Sequence, residues 1–80
     1  MTNIEKFNAA FIDTFSISAD ELNDLFTNES TTSWDSIRHL SLITKIEELF
    51  DIMLDTEDIL GLTSYKIGKE LLINKYNINL

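Results

Sequence analysis

The stretch WDSIRHLSLITKIEELFD, residues 34–51, decides the fold of this chain. It follows a polar run from Glu29 to Ser33, and its apolar residues recur at helical spacing. The stretch therefore predicts a helix from about Ser36 to Asp51. The apolar sector of that helix is wider than a single stripe, which indicates contacts with neighbours on several sides. We expect this helix to be the central element of the fold.

The sequence before this stretch predicts a first helix, followed by a long connection that packs against the core. Thr2 and Glu5 have the spacing of a capping box, and the apolar residues that follow predict a helix that Ser16–Ser18 interrupts. Ser18 can then cap a short turn within the long connection to the central helix. Three apolar side chains are expected to hold that connection against the core, namely Leu22, Leu25 and Phe26.

The sequence after the stretch predicts a short helix and a longer last one. Asp55 or Thr56 can cap the short helix, and Gly61 can close it. Thr63 or Ser64 then opens the last helix. With no proline and two glycines in the whole chain, sheets and tight hairpins are disfavoured.

These elements together predict an all-α fold, a small four-helix bundle of three main helices and one short helix. Eighty residues form a single domain, residues 1–80. Gly68 lies inside the last helix, where it lowers helix propensity, so we expect it to allow a close approach by a neighbour. The segment from Asn74 to Leu80 is expected to fray.

The charge and composition exclude several classes of function. The net charge is −8, which disfavours nucleic-acid binding and suits either basic protein partners or solubility alone. The chain has no cysteine and one histidine, so we expect no disulfide and no zinc site. Met53 stands at a position where a calcium loop from Asp51 needs an oxygen ligand, so no metal site is expected there. The absence of an apolar run of transmembrane length, or of a signal-peptide pattern, favours a cytoplasmic protein without membrane insertion.

The hydroxyl of Ser36 lies at the predicted start of the central helix. Main-chain N–H groups there have no partner within the helix, and a helix N-terminus favours negative charge. The position therefore tolerates a phosphate ester, although a serine at a helix start is also typical of a simple cap. The local pattern leaves both interpretations open.

The run from Trp34 to Asp51 resembles the second helix of acyl and peptidyl carrier proteins. In that family the serine of an Asp-Ser-Leu-like motif carries a 4′-phosphopantetheine arm, and here Ile37 stands in place of the usual leucine. Residues 46–51 resemble the Leu-Glu-Glu-x-Phe segment that ends the family's second helix. Residues 55–62 resemble its short third helix, and residues 63–65 the start of its last one.

The resemblance implies an acyl-carrier-like fold and a carrier function without enzymatic activity. Ser36 would bear the arm, which a phosphopantetheinyl transferase takes from coenzyme A, and Asp35 would belong to the motif that the transferase recognises. The arm would hold acyl or aminoacyl groups as thioesters. The implied partners are that transferase, a loading ligase and downstream synthase or transferase enzymes with basic docking faces, and the carrier itself is expected to be a monomer.

Some features depart from the carriers of primary fatty-acid synthesis. Trp34 precedes the Asp-Ser pair, and Arg38 and His39 follow it, an arrangement more like free-standing carriers of specialised or aminoacyl pathways. The cargo and the pathway stay undetermined. An acyl chain could be sheltered by six apolar residues, or these could form a plain core: Leu42, Ile46, Leu49, Ile59, Leu62 and Tyr65.

Two other functions fit parts of the same sequence. The first is a non-covalent acidic helical adaptor in which Ser36 is only a helix cap. The second is a small hydrolase that uses Ser36 and His39, which lie three residues apart and so on nearly the same helical face. No orienting group or oxyanion loop is evident for such a pair, and we expect His39 to be a partly exposed helix residue.

Overall fold

Four α-helices and one 3₁₀ turn make up the computed structural model, which describes residues 1–80. The helices are α1 (Asn3–Phe15), α2 (Ser36–Phe50), α3 (Thr56–Gly61) and α4 (Tyr65–Asn74), with the 3₁₀ turn at Ala19–Glu21. The prediction of an all-α bundle with three main helices and one short helix is confirmed. None of the helices combines the length and the apolar character that crossing a membrane requires.

Short-range hydrogen bonds set the ends of the helices, as the sequence predicts. Thr2 Oγ1 accepts from the N–H of Glu5, whose carboxylate accepts in return from the N–H of Thr2, which completes the predicted capping box. Ser64 Oγ accepts from the N–H of Ile67 at the start of α4. The first and second helices end where Ser16 and Asp51 take left-handed backbone conformations, with φ of 55° and 52°.

The core is built around an aromatic cluster centred on Phe11 of α1, which is fully buried. Five other aromatic rings have their centroids 5.0–6.2 Å from that of Phe11: Phe7, Phe15, Phe26, Trp34 and Tyr65. The second helix packs on α1 and adds three buried side chains, Leu42, Ile43 and Ile46. Four of the six residues considered as a possible acyl shelter therefore belong to the core: Leu42, Ile46, Leu62 and Tyr65.

The apolar sector of α2 is only partly buried. Leu42, Ile43 and Ile46 are buried, whereas Ile37 is 80% exposed and Leu40 is 60% exposed, so the apolar residues of the first turns contribute to the surface and not to the core. The apolar residues of the long connection are also buried to different extents. Phe26 is buried and Leu22 is half-buried, as predicted, whereas Leu25 projects into solvent.

Backbone hydrogen bonds attach the long connection to the start of α4. The N–H of Asn28 donates to Thr63 O, and the N–H of Tyr65 donates to Phe26 O. These bonds flank an isolated antiparallel bridge between Thr27 and Ser64. The polar segment before α2 therefore has a defined place beside α4.

The C-terminal segment is docked, so the prediction that it frays is wrong. The hydroxyl of Tyr76 donates to Asp58 Oδ2 at 2.6 Å, and Lys75 Nζ lies 2.8 Å from the same oxygen. The N–H of Ile78 donates to Leu72 O, and Ile78 packs against the core. Asp58 is only 8% exposed, so its carboxylate is part of this docking contact and not a solvated surface charge.

Gly68 provides the close approach that the sequence predicts, and an added methyl group there should destabilise the fold. A Cβ at Gly68 would lie 3.0 Å from Phe7 Cζ, and Phe7 is fully buried and cannot move aside freely. Overpacking of this kind costs about 1–3 kcal/mol, and the gain in helix propensity of about 1 kcal/mol offsets only part of it. We expect Gly68→Ala to lower the free energy of unfolding by about 0.5–2 kcal/mol in urea denaturation.

Gly61 offers a matched control for that substitution. A Cβ at Gly61 would meet nothing within 4 Å. Gly61→Ala should therefore leave the free energy of unfolding unchanged or raise it slightly. Equal losses of stability in the two variants would contradict the assignment of a specific close contact to Gly68.

Candidate functional site

Ser36 is the first residue of α2, and its hydroxyl is exposed and makes no hydrogen bond within the chain. The cap of the helix is Asp35, whose Oδ1 accepts from the N–H of Arg38 at 2.8 Å. The guanidinium of Arg38 in turn lies 3.3 Å from Asp35 Oδ2. Asp35 and not Ser36 therefore satisfies the helix end, which leaves the serine hydroxyl free for another role.

The main chain around Ser36 is suited to a phosphate ester. The N–H groups of Ser36 and Ile37 have no acceptor within the chain, because they belong to the first turn of α2. Such groups and the helix dipole favour an anion at this end. The Asp35 carboxylate is paired with Arg38, which reduces its repulsion of a neighbouring phosphate. The residues present thus fit a group attached through phosphate.

A surface depression of about 250 Å³ lies beside Ser36. Its seven lining residues come from the long connection, the first turn of α2 and the segment around the end of α3: Asn28, Trp34, Asp35, Ser36, His39, Leu60 and Thr63. Five of the seven lining residues are polar, and Leu60 forms an exposed apolar wall. It offers room for a flexible group attached to Ser36 to lie against the protein.

His39 lines this depression, and both of its ring nitrogens are hydrogen-bonded within the protein. Trp34 Nε1–H donates to His39 Nδ1 at 3.0 Å, and His39 Nε2 lies 2.6 Å from the carbonyl oxygen of Ile59. An indole N–H only donates and a carbonyl only accepts, so this network assigns the neutral imidazole with its proton on Nε2. Neither ring nitrogen is available to Ser36, and the geometry does not provide the Ser–His pair that a hydrolase would need.

Trp34 packs into the aromatic cluster of the core. Its ring centroid lies 5.0 Å from that of Phe15 and 5.9 Å from that of Phe26, and it stacks on His39 at 6.1 Å. The residue before the Asp-Ser pair thus anchors the start of α2 in the aromatic cluster. This anchor holds Ser36 on a rigid element.

Exposed apolar side chains surround the site. Ile37 adjoins Ser36, Leu40 lies one turn further along α2, and Leu60 faces the depression from α3. Exposed apolar side chains that lie close together are typical of a surface that other proteins contact. Nowhere does the structure bring together three or more side chains of the metal-ligating types.

The sequence locates Asp35 and Ser36, but it does not identify the rest of the site. Asn28, Leu60 and Thr63 reach the depression from segments distant in the chain. Asn28 lies in a polar stretch without periodicity, and Leu60 occupies an apolar position that helical spacing alone would assign to the core. No local signal distinguishes these residues from their neighbours.

The fold and site define a small helical bundle with an exposed serine at the start of its central helix. This serine does not cap the helix, and its hydroxyl makes no hydrogen bond within the chain. Comparisons of the chain with protein-family models, with curated proteins and with solved structures find no match. The function is therefore inferred from the residues and their geometry.

Proposed function

We propose that the chain is a free-standing acyl carrier protein, acyl-carrier-like in fold, which acts in the cytoplasm and is not itself an enzyme. It holds acyl or aminoacyl groups as thioesters on a 4′-phosphopantetheine arm attached to Ser36 and carries them between biosynthetic enzymes. The observation that carries this proposal is the exposed, unbonded hydroxyl of Ser36 within a motif that resembles the carrier family.

The chemistry that the chain itself contributes is limited to Ser36 and its surroundings. Ser36 Oγ would bond to the phosphorus of coenzyme A that bears the pantetheine, as the P–O bond between the two linked phosphates breaks. Adenosine 3′,5′-bisphosphate would leave, and the hydroxyl proton would pass to a base of the transferase. Magnesium bound by the transferase assists this step. The arm, once attached, supplies the terminal thiol that forms thioesters, a group that no side chain of this cysteine-free chain offers.

The surroundings of Ser36 support each part of this role. The free N–H groups of Ser36 and Ile37 favour the phosphate. Asp35 orders the helix start through its hydrogen bond to Arg38, and it also belongs to the motif that a transferase would engage. The depression beside Ser36 gives the arm a place against the protein when no enzyme is docked.

The proposed partners are enzymes with basic docking faces that also carry apolar contact residues. The net charge of −8 steers such faces towards the protein, and the exposed side chains of Ile37, Leu40 and Leu60 offer apolar contacts beside the arm. Weak docking is sufficient, because the tether keeps the cargo at a high effective concentration near the docked enzyme. We propose that the carrier is a monomer.

The alternative of a non-covalent adaptor uses the same exposed apolar residues. In that alternative, Ser36 serves only as a helix cap. Since Asp35 supplies the cap, the adaptor leaves the free hydroxyl of Ser36 without a role. The carrier accounts for both the hydroxyl and the apolar surface, and we favour it for that reason.

Attachment of the arm is the direct test of the proposal. On incubation with coenzyme A, magnesium and a broad-specificity phosphopantetheinyl transferase, we expect intact-mass spectrometry to show one added arm. Peptide mapping should place the arm on Ser36. A second carrier known to be modified by the same enzyme, present in the same tube, serves as the positive control. No mass gain in this chain while that control is fully modified would overturn the carrier function.

A further inference from the structure

The short helix α3 forms one wall of the Ser36 depression but has little of its own to hold it in place. It contains six residues, far fewer than an isolated helix needs for stability in water. Its one buried residue is the carboxylate Asp58, while Ile59 packs partly buried against the core and Leu62, directly after the helix, is fully buried. The apolar contacts of α3 are therefore concentrated at its C-terminal end, and its N-terminal end depends on polar contacts that other elements make with it.

The C-terminal end of α3 is held by α2. The carbonyl of Ile59 is one of the last four of the helix, which have no partner within it. His39 Nε2–H donates to this carbonyl at 2.6 Å and satisfies it. Because His39 lies in the first turn of α2, this bond connects the end of α3 directly to α2. The other ring nitrogen of His39 accepts from Trp34, which fixes the orientation of the imidazole.

The N-terminal end of α3 is held by the residues after α4. The hydroxyl of Tyr76 donates to Asp58 Oδ2 at 2.6 Å and accepts from the N–H of Asp55 at 3.2 Å. Lys75 Nζ lies 2.8 Å from Asp58 Oδ2 and 3.0 Å from Asp55 Oδ2. The hydrogen bonds from Lys75 and Tyr76 lower the pKa of the Asp58 carboxyl, so this carboxylate is ionised at neutral pH and accepts both.

The segment that makes these contacts is itself fixed to the core. Asn77 takes a left-handed backbone conformation with φ of 56°, which turns the chain so that the N–H of Ile78 donates to Leu72 O. The carbonyl of Asn79 accepts from Asn3 Nδ2 at the start of α1. The segment Lys75–Leu80, called the strap below, thus joins α3 to the rest of the bundle.

We propose that the strap is a built-in positioning device for the Ser36 site, with Tyr76 as the positioning residue that fixes α3. When the strap is bound, α3 is held at both ends, and Leu60 and the Ile59 carbonyl stay in place beside Ser36 and His39. When the strap is released, the N-terminal end of α3 loses the side-chain contacts of Tyr76 and Lys75. His39 and the apolar contacts of Ile59 still hold the other end, and the helix gains freedom to move. The position of α3 stands on the structure alone, whereas any effect on the arm rests on the proposed carrier function.

Hydrogen exchange in the unmodified full chain tests the strap. Tyr76→Phe keeps the ring and removes the hydroxyl that contacts Asp55 and Asp58. The N–H groups of Ile59 and Leu62, which bond within α3, should exchange about tenfold faster, the loss expected for one hydrogen bond to a charged group. The indole N–H of Trp34 should also exchange faster, because its acceptor His39 loses an ordered partner in α3.

Tyr65→Phe is the matched control. It removes another tyrosine hydroxyl that makes one short hydrogen bond, 2.6 Å to Asn8 Oδ1, away from α3. We expect the exchange of Ile59 and Leu62 relative to the α2 core amides to be unchanged in this control. The strap is overturned if Tyr76→Phe leaves the α3 amides unchanged, or if it and the control accelerate them equally.

This test and the test of carrier function fail separately. The exchange measurement needs no arm, no transferase and no partner. A wild-type chain that takes up no arm would overturn the carrier function and leave the strap standing. A modified chain whose α3 is indifferent to Tyr76 would overturn the strap and leave the carrier standing.

Discussion

Ser36→Ala is expected to abolish attachment of the arm completely while the fold keeps its stability. The Oγ atom is the only one that the proposed chemistry uses, and alanine has no replacement for it. The hydroxyl is exposed and unbonded, and Asp35 caps the helix, so we expect the free energy of unfolding to stay within about 0.5 kcal/mol of wild type. Intact mass after treatment with the transferase and urea denaturation measure the two results.

Two neighbouring variants separate attachment from capping. Ser33→Ala removes a nearby hydroxyl that makes no side-chain hydrogen bond, and it should still be modified fully. Asp35→Ala removes the cap and should lower the free energy of unfolding by about 1 kcal/mol. An arm on Ser36→Ala would place the attachment elsewhere, and a loss of stability in Ser36→Ala like that in Asp35→Ala would restore the cap interpretation.

Phe11→Ala should produce the largest loss of stability of any single change considered. Phe11 is fully buried and lies among five other aromatic rings, so truncation leaves a cavity that rigid rings cannot fill. Truncation of a buried phenylalanine costs about 3–5 kcal/mol. A domain of this size has a total stability of roughly 5–10 kcal/mol, so we expect a large population of unfolded protein under mild denaturing conditions.

The same substitution at the edge of the core is the control for Phe11. Phe50, at the end of α2, is half-buried and has no aromatic neighbour within stacking distance. We expect Phe50→Ala to cost clearly less than Phe11→Ala, as read from the midpoints of urea denaturation followed by circular dichroism. Equal costs at the two positions would contradict the placement of Phe11 at the centre of the core.

The parts of the fold that the sequence predicts correctly depend on residues close together in the chain. The capping box of Thr2 and Glu5 spans three residues, and the extent of α2 follows from apolar spacing over a few turns. Gly68 is recognisable because a glycine inside a helix has a cost that close packing explains. Such features can be predicted because the interaction and its signal occupy the same short segment.

The predictions that fail concern contacts between distant segments. Asp58 looks like one more member of an acidic surface, and only its hydrogen bond with Tyr76, 18 residues away, shows why it is buried. The segment after α4 has no helical pattern and so predicts fraying, yet it is held by that same contact. Leu25 is apolar and was expected to pin its loop, but the fold leaves it in solvent.

Local sequence pattern is sufficient to predict a serine at the start of a central helix, with an aspartate before it and a motif that resembles the carrier family. The tertiary structure decided that Asp35 is the cap and that the Ser36 hydroxyl is unbonded. It also brought Asn28 and Leu60 to the same depression. These two kinds of feature differ in the distance along the chain between the interacting residues. Helix periodicity depends on residues a few positions apart, whereas the bonding state of the Ser36 hydroxyl and the walls of the site depend on how distant segments pack together.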